Sequence, residues 1–174
     1  DADAFEEVVY AARARTVLIE AGAFETAARL LQREVRSALP GTARDMLFVS
    51  YADVLQALGP ERLDEAIAAY EEALRAPTRI PRGQLGLALA LRRRALMGET
   101  SDDRWRTLAT EAADRVARQL LLAVPLPESE RSARTAVLLE IAGDTSGAIG
   151  AWDAAREGPW AAIAQRASET LRGN

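Results

Sequence analysis

Cysteine, histidine and lysine are all missing from this sequence of 174 residues. The first absence excludes a disulfide framework, a thiolate metal site and a cysteine nucleophile. The other two remove the usual general bases and the Schiff-base formers. All 22 basic residues are therefore arginines, which reads as the codon bias of a GC-rich, bacterial genome. Aromatics are scarce, at 5%. The longest strongly apolar run, "LGLALAL", has seven residues, far fewer than the ~20 that span a bilayer, so no membrane insertion by this segment is expected. The net charge of −4 argues against nucleic acid as a partner.

What is present is ordinary for a soluble domain: 49% hydrophobic and 28% charged residues, enough for one continuous core. The expected compartment is bacterial cytoplasm or periplasm. The chain begins at Asp1, either as a mature form after leader removal or as a trimmed one. Alanine and leucine dominate the apolar fraction and, with Arg and Glu, lose least on entering a helix. Gly and Pro punctuate the chain, and no segment between them alternates with the period of a strand. The spacing predicts an all-α protein of about nine helices, near 3–21, 24–39, 42–58, 61–76, 82–97, 102–124, 128–142, 145–157 and 159–172.

In "GPERLDEAIAAYEEALRAP", residues 59–77, Leu63, Ala66, Ile67, Tyr70, Ala73 and Leu74 form one apolar face. Small residues at Ala66 and Ala73 admit close neighbouring helices, and Tyr70 fills the space between them. The pattern returns in "GAFETAARLLQREV" (22–35) with Gly22, Ala27, Leu31 and Glu34. It returns again in "GDTSGAIGAWDAAREGP" (143–159) with Gly143, Ala148, Trp152 and Ala155. It resembles the second helix of the tetratricopeptide repeat. The preceding helices resemble the first, through Phe48, Tyr51, Ala52 and Leu55, through Leu85-Gly86 with Leu89, and through Ser132, Ala136 and Leu139. In the third unit "AADRVARQLLLAVP" supplies Ala113, Ala117, Leu120 and Pro125, so its second helix should run long from Asp102.

The resemblance implies a right-handed superhelical solenoid in a single domain, with repeats near 8–41, 42–77, 81–125 and 128–158 and a capping helix over 159–172. It implies a non-catalytic module, adaptor, scaffold or assembly factor, that holds a protein or peptide partner in a concave groove. The groove would be lined by Val9, Arg13, Thr16, Met46, Val49, Asp53, Gln56, Gln84, Leu87, Leu91, Arg134, Val137 and Glu140. Family members that grip chaperone tails do so with lysines and asparagines. Here those positions read Ala12, Thr16, Ser50, Ile80 and Gln84, so that clamp is absent and an apolar peptide or amphipathic helix fits better. Residues 143–160 also resemble the last repeat of the periplasmic domain in cytochrome c maturation proteins of the CycH type. That makes a periplasmic assembly chaperone one alternative. A structural subunit buried in a larger complex is another.

No catalytic, metal or cofactor residue is expected. The carboxylate pairs Glu6-Glu7, Glu71-Glu72 and Asp102-Asp103 are adjacent on helices and point about 100° apart, so they do not converge. "DADAFEE" lacks the spacing and central glycine of a calcium loop. Arg79, Arg82, Arg92, Arg93 and Arg94 lie close in sequence. They read either as cations complementing a helix C-terminus or as a basic patch for an acidic partner. Trp152 sits in the bulky core slot, and Trp160 is placed to staple the capping helix to the stack. The oligomeric state is open.

Overall fold

The computed structural model describes residues 2–76, 80–98, 103–113, 115 and 125–173, with side chains from Tyr10 onward. Among the described residues the protein is all-α, with nine helices and no strand. They are α1 (Ala2–Glu20), α2 (Phe24–Ser37), α3 (Thr42–Leu58), α4 (Leu63–Ala73) and α5 (Pro81–Leu96), then α6 (Arg104–Ala113), α7 (Glu128–Ile141), α8 (Thr145–Ala154) and α9 (Ala161–Gly173). Short 3-10 turns at Pro60–Arg62 and Gly158–Trp160 lead into α4 and α9. In both, the proline sits in the first turn, where its missing N–H costs nothing.

Helix ends follow local chemistry. The Asp144 side chain caps α8 by accepting from the Gly147 N–H at 2.9 Å, which satisfies one of the orphan donors there. Gly59 is required twice over. Its φ of 123° suits glycine, and a Cβ there would stand 2.8 Å from the Pro159 Cβ. Arg115 lies in a turn, with its N–H on the Ala112 carbonyl at 3.0 Å. Helix α6 is described only to Ala113, and most of the remainder of the helix expected over 102–124 lies outside the described residues. Ala117 and Leu120 lie outside the described residues.

Consecutive helices pack on one another from α1 to α6 and from α7 to α9, and α3, α5 and α7 also touch in a row. The core runs through this arrangement: Ala27, Leu31, Val49, Leu55, Ala66, Tyr70, Leu89, Trp105, Ala136, Trp152 and Ala164 are all buried. The small residues of α4 behave as their pattern predicts, Ala66 and Ala73 being fully buried against neighbours. Tyr70 then needs a gap in the opposing helix, and Gly86 of α5 provides it. A Cβ at Gly86 would meet the Tyr70 ring and hydroxyl at 2.5 Å. The Leu85-Gly86 pair is thus one half of a large-against-absent contact whose other half lies sixteen residues earlier in the chain.

Candidate interaction surface

Where α3, α5 and α7 meet, their facing sides carry polar groups at helical spacing. Asp53 and Gln56 stand three apart on α3, Gly86 and Arg93 seven apart on α5, and Glu130 and Arg134 four apart on α7. All of these residues are buried, and the five side chains, the Gly86 carbonyl and the Tyr70 hydroxyl form one bonded network. Asp53 Oδ1 accepts from Arg134 Nη2 at 2.6 Å and from the Tyr70 hydroxyl at 2.5 Å, and its Oδ2 accepts from Arg82 Nε at 2.8 Å. The Gln56 amide donates to the Tyr70 hydroxyl at 3.1 Å and to the Gly86 carbonyl at 3.2 Å. Its oxygen accepts from Arg93 Nη1 at 3.0 Å. Arg93 grips Glu130 with both terminal nitrogens, at 3.0 and 2.7 Å, the strong fork-to-fork geometry.

The ring of Trp160 seals this network. Its centroid lies 4.2 Å from the Arg93 guanidinium, and its indole N–H donates to the Gln56 carbonyl at 2.6 Å. One aromatic therefore ties the start of α9 to both α3 and α5. Burial alone would raise the Asp53 carboxyl, but the Arg134 and Arg82 guanidiniums and the Tyr70 hydroxyl outweigh it and hold the group below the ordinary aspartate range. The Tyr70 hydroxyl is pushed far upward by burial and by the Asp53 charge. Arg93 is lowered by burial, which Glu130 opposes only in part. Arg82 is the partly exposed member, so the third positive charge of the cluster reaches water. Arg93 Nε and Arg134 Nε are buried without a hydrogen-bond partner.

The first three helices enclose something different. A cleft of about 450 Å³ lies between α1 (Ala11, Arg15), α2 (Glu34, Ser37, with Ala38 just past its end) and α3 (Ala43, Met46, Leu47, Ser50). Its walls are mostly apolar, and Met46 remains 37% exposed at its mouth. Arg15 and Glu34 pair across one side. The second Glu34 oxygen is buried without a hydrogen-bond partner. Leu39, in the adjoining loop, is 85% exposed.

The residues expected to line one continuous groove therefore divide. Arg13, Thr16 and Met46 are open to solvent. Val49, Asp53, Gln56, Gln84, Leu87, Leu91, Arg134 and Val137 are buried. Glu140 is nearly so, accepting from the Trp152 indole at 2.7 Å and pairing with Arg92 at 2.9 Å. Gln84 donates to Glu111 at 2.6 Å. The polar residues on the facing sides of α3, α5 and α7 satisfy one another, so this part of the expected groove is filled by the chain's own contacts. Val9 lies outside the described side chains, and Arg79 lies outside the described residues.

The described arginines of the expected basic patch are likewise paired. Arg82 pairs with Asp53, Arg92 with Glu140, Arg93 with Glu130 and Arg94 with Asp64. Arg92 also lies over Trp105, 5.0 Å from its centroid. These guanidiniums point to four different partners. Glu130 and Tyr70 are functional to the network and were not singled out for it. Their signal was a polar residue in the apolar register of a helix, four residues from Arg134 in one case and opposite a glycine in the other. Among the described residues no group of three acidic side chains could hold a metal ion, and no helix is long and apolar enough to cross a membrane. Compared with protein-family models, with curated proteins and with solved structures, the chain matches none.

Proposed function

We propose that the protein is a non-catalytic interaction module, a tetratricopeptide-like stack of four helix pairs and a capping helix, that holds an apolar segment of a partner protein in the cleft between α1, α2 and α3. The observation that carries this reading is a contrast: the α3–α5–α7 part of the expected groove is filled by the chain's own ion pairs, whereas Met46, an expected groove residue, opens into an apolar-walled cleft of about 450 Å³ that α2 also lines. Support for the stack comes from the order of packing, each helix on the next with α3, α5 and α7 in a row, and from the Ala66–Tyr70–Gly86 fit. Support for a non-catalytic role comes from the interior carboxylates, which are committed to arginines and hydroxyls. A lowered, doubly paired Asp53 is a poor general base at neutral pH.

The partner segment would present small or linear apolar side chains to Ala38, Ala43, Met46 and Leu47, in the manner of a helix or extended peptide laid in a groove. The test is to pan a displayed peptide library against the chain and to follow backbone amide shifts as a selected peptide is added. Shifts gathered at Ala11, Ala38, Ala43, Met46 and Leu47, with at least about tenfold weaker binding to Met46→Glu, support the reading. Shifts confined to other helices, or binding indifferent to Met46→Glu, overturn it.

A further inference from the structure

The two ends of the molecule present different outer faces. On α9 the exposed residues include Gln165, Arg166, Glu169, Thr170 and Arg172, a polar face of the kind that ends a helical stack. On α1 Tyr10, Ala14 and Val17 are exposed, with Tyr10 at 68% and Val17 at 62%, and so is Ala21, one residue past its end, whose N–H still donates to the Val17 carbonyl. Their spacing of four, three and four residues places them on one line along the helix, the spacing of a coiled-coil seam. Helix α1 packs chiefly on α2, using its other side: Leu18 meets the core and Ala11 lines the cleft. The seam is left uncovered among the described residues.

The charges beside the seam say what fits it. Arg13 and Glu20 lie along the same edge, seven residues apart and both exposed, and neither makes an ion pair among the described residues. A second copy of α1 laid antiparallel sets Tyr10 against Ala21 of the second copy and Ala14 against Val17 of the second copy. Each large side chain then meets a small one. The same register brings Arg13 beside Glu20 of the second copy, and two-fold symmetry makes that pair twice. A parallel arrangement would stack Tyr10 on Tyr10 and leave Arg13 opposite the apolar edge that faces α2. The seam is thus complementary to itself in one orientation only.

We propose that this face of α1 pairs antiparallel with the same face of a second copy, making the protein a weak two-fold homodimer. The pairing uses a surface separate from the cleft and does not rest on the peptide-docking reading. The stretch from Tyr10 to Ala21 is only about 17 Å long at 1.5 Å per residue. The buried area is accordingly small, and a weak, concentration-dependent dimer is expected.

Sedimentation equilibrium across micromolar to millimolar protein tests it. The wild-type mass should climb from one chain toward two, and Val17→Glu should stay a monomer throughout with unchanged circular dichroism. Arg13→Glu and Glu20→Arg should each weaken self-association several-fold. Mixing the two variants one to one should restore wild-type affinity, because position 13 of each chain then again faces an opposite charge at position 20 of the other. A wild-type chain that stays monomeric at millimolar concentration overturns the proposal. So does a dimer indifferent to Val17→Glu, or a mixture that associates no better than its components.

Discussion

The row formed by α3, α5 and α7 and the cleft formed by α1, α2 and α3 share one helix, yet one is closed and the other open. The difference lies in what each facing side carries. In the row, Asp53, Gln56, Arg93, Glu130 and Arg134 meet across three helices and satisfy one another, with Trp160 drawn over them. In the cleft, a single ion pair, Arg15 with Glu34, spans one side, small residues such as Ala11, Ala38 and Ala43 line the rest, and Met46 is left partly in water. Polar side chains of the right length close a helical array upon itself, whereas small apolar ones leave room for another molecule.

The largest effect is expected in the row. Asp53→Ala leaves Arg134 buried without its counter-charge, which typically costs about 3–5 kcal/mol. Urea unfolding measures it, and a loss below about 1 kcal/mol would erase the distinction between the two regions. Acid should remove the same contribution in the wild type. The folded Asp53 carboxyl takes up its proton at lower pH than an unfolded aspartate, whose pKa is about 3.9. Its stabilisation is complete above that value and is lost as pH falls below it, through the folded pKa. Urea midpoints measured between pH 7 and pH 3 should fall for the wild type and fall less for Asp53→Asn.

Next in size is Gly86→Ala, whose new Cβ would stand 2.5 Å from the Tyr70 ring. A rigid ring cannot give way cheaply, so a loss of about 1–3 kcal/mol is expected from thermal unfolding. Replacing both members of the other buried pair sharpens the comparison. Arg93→Met with Glu130→Leu should cost less than either single change, because no charge is left without its partner. The smallest effect belongs to the cleft: Met46→Glu should change stability by less than about 0.5 kcal/mol, while weakening binding of a selected peptide.

Most of the helical framework was legible in the sequence, because 3.6-residue periodicity and Gly/Pro punctuation are local signals. The spans of α1, α3, α5 and α7 fall within a residue or two of expectation. The interaction surface was only half legible. Periodicity places Asp53, Gln84, Leu91 and Arg134 on the inner sides of their helices. Whether those sides touch rests on distant residues: Gly86 admits the Tyr70 ring, whose hydroxyl reaches Asp53, and Trp160, seventy-four residues further along, ties α3 to α5. Pairings between residues 81 positions apart, such as Asp53 with Arg134, leave no local trace.

A soluble paramagnetic probe added to methyl-labelled protein compares the two regions in a single spectrum. The Met46 methyl should be broadened strongly, while the methyls of Leu87, Leu91 and Val137 remain sharp, since the first faces an open cleft and the others lie inside a closed row. Equal broadening of Leu87, Leu91 and Val137 would mean that the row stands open in solution, and the division of the molecule into a filled part and a docking part would be wrong.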